Sequence, residues 1–402
     1  MSEGALPRVL LVGEGCTLAH FARPLALAEI LHRAGYKAAL ACPVAFKRWV
    51  PGHIPWLELE TQPQSRFSAR LATGRPLFDR ALLERYAEAD LDLLARHEPD
   101  VVIGDVRLSL AASARQAGVP YIALSNAYWD PRPPLPAIMP CLRWTGRLPL
   151  PLLGALQRLA MPVADAWNGR QLEGLMRDRG IPVGRMGLRE MFTEADLTLY
   201  ADLKGLFPEV EETGRYRFLG PVPWEPPVPL PPWWDAVPGD RPLAYVTVGS
   251  SGDRNTLPRL VEGLAAAGYA SIVATAARAK LEGDGERVFV ADYLPGATAA
   301  ARADVVVCNG GAPTVAQALA AAKPVLGVCT NLDQFMNMRA VEAANAGLSL
   351  RSDRVTAAQV SAAVRRLEAP AFADAARRLQ AESAAVDLEA ALTNAIGRAL
   401  AR

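Results

Sequence analysis

Two short stretches set a histidine and an aspartate where they could move a proton together. "TLAHFARPLALAEIL" puts His20 just after the apolar run Val9–Val12, where a strand gives way to a helix, in a chain with four histidines. "PDVVIGDVRLS" puts Asp105 at the end of another β-type run. The positive end of a helix favours the neutral imidazole, the form that accepts a proton near pH 7. A carboxylate can orient that ring and balance its charge once protonated. The wide gap in sequence is no obstacle if both residues lie at strand carboxyl ends of one sheet. Alone, His20 reads equally as a cap or packing residue and Asp105 as an N-cap, so their joint occurrence carries the argument.

A third stretch, "CNGGAPTVAQALAAAKPVLGV", could hold an anion. Gly310 and Gly311 permit a tight turn after a buried strand, Pro313 suits a first helical turn, and Thr314 adds a hydroxyl. A helix amino-terminus of this kind offers backbone N–H groups to phosphate. Because Pro313 has no N–H, the expected donors are Gly311, Ala312, Thr314 and Val315. Some twenty residues on, Asp333 and Gln334 open the next helix and offer acceptors and donors suited to sugar hydroxyls. Both loops leave carboxyl ends of strands, where open α/β sheets bind ligands.

The elements that must position these groups alternate along the chain. RVLLVG, KAALAC, VVIGD and YIALS read as strands, with helices over 21–33 and 108–116 between them. The alternation restarts after residue 242 with LAYVTVGS, SIVATA, RVFVAD, DVVVCNGG and PVLGV. Strands separated by helices imply parallel sheets, so the expected class is α/β with two Rossmann-like domains facing across a cleft. Their bounds are 1–220 and 242–402. The proline-dense 221–241 is the linker, and the last helix is a candidate to pack back on the first domain. Residues 128–180 read as an irregular insertion rich in proline, tryptophan and leucine, a usual carrier of binding specificity. Its Tyr128, Trp129 and Trp144 are the candidate acceptor contacts.

Composition narrows the function. The chain has 402 residues, 51 % hydrophobic, with 43 Lys plus Arg against 42 Asp plus Glu. That balance gives no electrostatic reason to expect nucleic acid or an anionic membrane as a partner. Five scattered cysteines form no C-x-x-C pair and read as reduced thiols of a cytoplasmic protein. No secretion signal and no uninterrupted apolar span of membrane length is visible, although 133–163 is apolar enough for a peripheral lipid contact. No D-x-D pair suggests a metal-bound diphosphate, so neither metal nor resident cofactor is expected. Arg23 and Arg107 read as solvent-exposed charges, and His32, His53 and His97 as surface residues.

The order NGG-A-P-T, KPVLGV, DQ, N, G resembles the donor-binding signature of family 1 nucleotide-sugar glycosyltransferases. These have the GT-B fold and include bacterial natural-product enzymes. "ADYLPGATAAARADVVVCNGG" and "VTVGSSG" extend the resemblance over the second half, and His20 extends it to the first. Three positions depart from the family pattern. Asn309 replaces a histidine that donates a hydrogen bond to a donor phosphate, Tyr293 a base-stacking tryptophan, and Gly296 a glutamine that meets the ribose.

The resemblance implies an inverting transfer of a hexose or deoxyhexose from a UDP- or TDP-sugar to a hydroxyl of a small, largely apolar acceptor. His20 would be the base and Asp105 its partner. Ser250, Tyr293, Asn309, Gly310, Gly311, Ala312 and Thr314 would hold the nucleotide and diphosphate, with Asp333 and Gln334 on the sugar. The alternatives are a non-catalytic auxiliary of the same fold and a sugar-nucleotide epimerase or hydrolase.

Overall fold

Two parallel sheets organise the chain in a computed structural model that describes residues 6–401. The first half supplies β1 (Arg8–Gly13), β2 (Lys37–Cys42), β3 (Trp56–Glu58), β4 (Val101–Asp105), β5 (Tyr121–Ser125), β6 (Leu197–Tyr200) and β7 (Tyr216–Phe218). They lie in the order β3-β2-β1-β4-β5-β6-β7. The second half supplies β8 (Leu243–Thr247), β9 (Ala270–Ala274), β10 (Val288–Ala291), β11 (Val305–Cys308), β12 (Val325–Cys329) and β13 (Gly347–Arg351). Their order, β10-β9-β8-β11-β12-β13, repeats the same winding. These are the two facing α/β units of the GT-B architecture.

Strand order reverses beside β1 in one sheet and beside β8 in the other, and crevices open at such switch points. Register puts Gly13 beside Asp105 at the first switch and Thr247 beside Cys308 at the second. The chain leaving β1 therefore faces that leaving β4, and the chain leaving β8 faces that leaving β11.

The first half carries helices α1 (Leu18–Arg33), α2 (Gln64–Thr73), α3 (Arg80–His97), α4 (Leu110–Ala117), α5 (Leu150–Asp178) and α6 (Leu188–Met191). The second carries α7 (Leu257–Ala266), α8 (Gly296–Arg302), α9 (Ala312–Ala320), α10 (Leu332–Ala343), α11 (Ala357–Leu367), α12 (Pro370–Ala384) and α13 (Leu388–Leu400). Leu392, Ala395, Ile396 and Ala399 of α13 join the core of the first sheet and α1, not that of the second half. The proline-rich segment bridges the halves: Val222 and Trp224 pack with the core of the first sheet, while the Trp233 indole donates to the Val290 carbonyl at 3.1 Å and Gln317 donates to the Trp224 carbonyl at 3.0 Å.

The segment read as irregular holds the 29-residue α5. Its prolines hid the helix. Pro151 sits in the first turn, where no N–H is needed, and near-uniform apolarity erases the period from which a helix is recognised. No helix among the described residues is long and apolar enough to cross a membrane.

Candidate active site

His20 is the third residue of α1, and its Nδ1 lies 2.8 Å from Asp105 Oδ1. An ionised carboxylate only accepts, so Nδ1–H is the donor of this pair; in the neutral ring Nε2 is then the accepting nitrogen, and it has no hydrogen-bond partner among the described residues. Two backbone features allow this approach. A Cβ on Gly13 would stand 2.8 Å from the His20 carbonyl, so glycine there lets α1 start close against β1. Pro24, four residues on, has no N–H to return to that carbonyl.

Arg23, expected in solvent, is buried and forks onto Asp105, with Nε to Oδ2 at 2.7 Å and Nη2 to Oδ1 at 2.8 Å. Its Nη1 donates to Asn126 Oδ1 at 2.9 Å, and Asn126 donates to Asp202 at 2.9 Å. Burial pushes the Asp202 carboxyl up to about 6, against the pull of the Ala127 N–H and Asn126. Arg107 is fully buried as well. It donates to Asp90 at 2.8 Å and to Glu14 at 3.4 Å, and its guanidinium lies 3.6 Å from the centre of the Tyr86 ring. Burial pushes the Glu14 carboxyl up to about 7, with Arg107 opposing. Both arginines were misread because their partners lie far off in sequence. Between Asp105 and Arg107, Val106 adopts φ 57°, a conformation β-branched residues avoid, so the packing on both sides holds the turn in place.

His20 faces a cavity of about 1560 Å³ between the two halves, and the opposite wall carries the anion turn. Asn309, Gly311, Ala312 and Thr314 line it. Gly310 does not. At φ 80° it turns the chain where a Cβ would lie 2.6 Å from Met338, and its N–H points to Cys308 Sγ at 3.2 Å. Gly311 N–H is taken by Asn309 Oδ1 at 3.2 Å and Val315 N–H by the Gly311 carbonyl at 3.1 Å. The open donors at the start of α9 are thus Ala312 and Thr314, not the four expected.

Ser250 lines the cavity beside Arg278, which sequence reasoning passed over. Arg278 donates to the carbonyls of Gly249, at 3.2 Å, and Ser250. Burial and the Arg254 charge push its pKa down. Consecutive alanines at φ 55°, Ala276 and Ala277, turn the chain into it. The only sequence signal is a basic residue soon after a buried strand.

Tyr293 lines the cavity and meets Trp49 edge-on at 6.2 Å, so the first half adds an aromatic ring where the second has the smaller one. A Cβ on Gly296 would stand 2.4 Å from Gln317 Oε1, so the Gln317 amide fills the space its missing side chain leaves. Neither Trp49 nor Gln317 was visible as a site residue from sequence.

Asp333 lines the cavity and accepts from the Tyr128 hydroxyl of the opposite half at 2.9 Å. Burial pushes its pKa up, with the Tyr128 hydroxyl opposing. Gln334, expected beside it on the sugar, is fully buried and absent from the cavity wall. It closes a capping box with Asn331, accepts from Thr330 N–H at 2.7 Å and donates to Ser251 at 3.2 Å. Trp129 is buried, stacks on Phe192 at 4.6 Å and lines the cavity, whereas Trp144 is exposed where it lines it. Among the described residues no group of three His, Cys, Asp or Glu is arranged to hold a metal ion.

Residues 263–394 match the family described as erythromycin biosynthesis protein CIII-like, C-terminal domain. A PGL/p-HBAD biosynthesis glycosyltransferase of Mycobacterium tuberculosis is 43 % identical over 92 % of this chain and 87 % of its own. A PGL/p-HBAD biosynthesis rhamnosyltransferase of Mycobacterium bovis is 43 % identical over 89 % of this chain and 80 % of its own. Among solved structures, the glycotransferase of kitacinnamycin superposes with a TM-score of 0.73 at 20 % identity, covering 99 % of this chain and 100 % of that one.

Proposed function

Since the chain belongs to the family 1 nucleotide-sugar glycosyltransferases of the GT-B fold, we propose that it moves a hexose or deoxyhexose from a UDP- or TDP-sugar to a hydroxyl of a largely apolar acceptor, with inversion. The observation that carries the proposal is the His20–Asp105 contact at 2.8 Å, clamped by Arg23 and facing across one cavity the open start of α9.

His20 Nε2 takes the acceptor's proton while that oxygen bonds to the anomeric carbon. The bond from that carbon to the diphosphate breaks, and the nucleoside diphosphate leaves with the electron pair. Asp105 holds the ring and balances the imidazolium, while Arg23 fixes Asp105. The charge gathering on the diphosphate meets Ala312 N–H, Thr314 and the helix dipole, with Ser250 and Arg278 alongside. Asn309 braces this turn through Ser251, to which it donates at 3.1 Å, and contributes no charge. Asp333 accepts from sugar hydroxyls, Tyr293 and Trp49 flank the base, and the free Gln317 Oε1 accepts from the ribose in place of the side chain Gly296 lacks. No resident cofactor takes part.

The test is transfer from UDP- and TDP-sugars to apolar phenols and alcohols, followed by wild type and His20→Ala. The expected product has inverted anomeric configuration. His20→Ala should slow transfer by about 10²–10⁴-fold with donor affinity unchanged. Retained configuration, or full activity in His20→Ala, would overturn the mechanism. Tight nucleotide-sugar binding without transfer to any acceptor would favour the auxiliary reading instead.

A further inference from the structure

Helix α5 presents two faces to open space. One face, with Gln157, Met161, Ala164 and Asn168, lines the cavity. The other carries Leu152, Leu159, Val163 and Trp167, spaced by seven, four and four residues and so aligned on one stripe. All four are exposed, Leu159 at 77 % and Val163 at 70 %. Four large apolar side chains aligned and exposed on one helix stripe form a surface without its partner.

The charge around the stripe is one-sided. Residues 131–172 contain five arginines and one acidic residue, in a chain whose charges otherwise balance. The single acid, Asp165, is turned inward and accepts from Leu188 N–H at 2.9 Å. Arg132 is held by Asp130, but Arg143, Arg147, Arg158 and Arg170 are exposed and meet no carboxylate among the described residues. The loop before the helix is also held firmly. Arg351 reaches the Met139 carbonyl at 2.5 Å, Thr145 donates to Asp353 at 2.7 Å, and Arg354 reaches the Thr145 carbonyl at 2.6 Å. Finally, the patch runs into the cleft, because Trp144 and Ala160 are both exposed and line the cavity.

We propose that the amino-terminal half of α5, with the loop before it, docks on an anionic lipid surface, and that the acceptor enters the cleft from that surface. Leucine, valine and tryptophan bury in the interfacial layer while the arginines pair with anionic headgroups. A second copy of this chain would bring two unpaired arginine clusters together, which the charge pattern opposes. The docking stands apart from the transferase reading, whereas the route of the acceptor rests on it.

The test uses the full chain and vesicles of phosphatidylcholine with and without one-third phosphatidylglycerol. Wild type is expected to co-sediment with the anionic vesicles at least about tenfold more strongly than with neutral ones, and less so as salt rises. The double variant Leu159→Glu/Val163→Glu and the triple variant Arg143→Ala/Arg147→Ala/Arg158→Ala should each lose about tenfold or more of that binding. All substituted side chains point to solvent, and unchanged nucleotide-sugar affinity reports that the variants fold. Transfer to an alkylphenol embedded in the vesicles should fall in step, with transfer to a short soluble phenol unchanged in the Leu159/Val163 variant. Absence of wild-type binding to anionic vesicles, or binding indifferent to both variants, would overturn the proposal. So would a wild-type dimer that the glutamates dissociate in the absence of lipid. If vesicle binding behaves as expected but neither phenol is glycosylated, the transferase reading fails and the docking face stands.

Discussion

The two walls of the cleft are built from different materials. On the first half, His20, Asp105 and Arg23 form one linked set, and Arg107, Asp90 and Glu14 form another directly behind it. The facing wall is made mostly of N–H groups, glycine turns and neutral amides, and its charges, Arg278 next to Ser250 and the carboxylates of Asp253, Asp292 and Asp333, form no linked ion set among the described residues. Removing one ion from a desolvated set strands its partners, while removing one neutral donor from a turn loses a hydrogen bond. The first wall should therefore fail as a unit and the second by increments.

Arg23 puts the strongest strain on that contrast. Arg23→Met leaves Asp105 buried with only the imidazole beside it, at a cost of about 3–5 kcal/mol. Arg23→Lys keeps the charge but loses the fork that reaches both carboxylate oxygens. The expected result is a large fall in unfolding temperature for the methionine variant and near-native stability for the lysine variant. The lysine variant should still lose about tenfold in kcat with donor KM unchanged. A change in donor KM instead would mean that Arg23 serves the opposite wall.

Glu14 tests the second ion set through pH. Its carboxyl titrates near 4.5 unfolded and at about 7 folded, so between those values the folded state binds the extra proton. Stability is therefore lost as pH rises through that window, by up to about 3 kcal/mol. Glu14→Gln keeps the acceptor for Tyr86 and removes the titration, so its unfolding temperature should decline less from pH 5 to pH 8 than that of wild type. Asp202, raised to about 6, keeps a smaller slope below that pH in both proteins. Parallel curves would show that Glu14 is charged throughout.

This division also explains what could be read from the chain. The anion turn was legible because it is local: two glycines, a proline and a threonine within five residues announce a helix start after a buried strand. Nine of the thirteen strands were legible for the same reason, as short apolar runs, whereas β3, β7 and β13, edge strands carrying a Glu, Arg or Ser, and the four-residue β6 were not. Arg23 and Arg107 were misread because the carboxylates that bury them, Asp105 and Asp90, arrive from other elements. Gln334 was assigned to the sugar by its place beside Asp333, yet its side chain turns back to cap its own helix. α5 was missed because its apolar residues face both the cavity and solvent, leaving no single face to reveal a period.

The finest test of the comparison is on the second wall, where two residues offer one amide between them. Gln317 Oε1 stands 2.4 Å from where a Gly296 side chain would begin, so the two positions compete for the same space. Gln317→Ala should raise donor KM by about tenfold, one neutral hydrogen bond's worth, with kcat nearly unchanged. Gly296→Gln alone should crowd Gln317 and weaken the donor as well. The double variant Gly296→Gln/Gln317→Ala should recover most of the affinity, because the amide returns from the neighbouring helix to a space now free. Additive losses in the double variant would mean that Gln317 acts only through the Trp224 carbonyl it holds at 3.0 Å, and that the ribose is bound by another group.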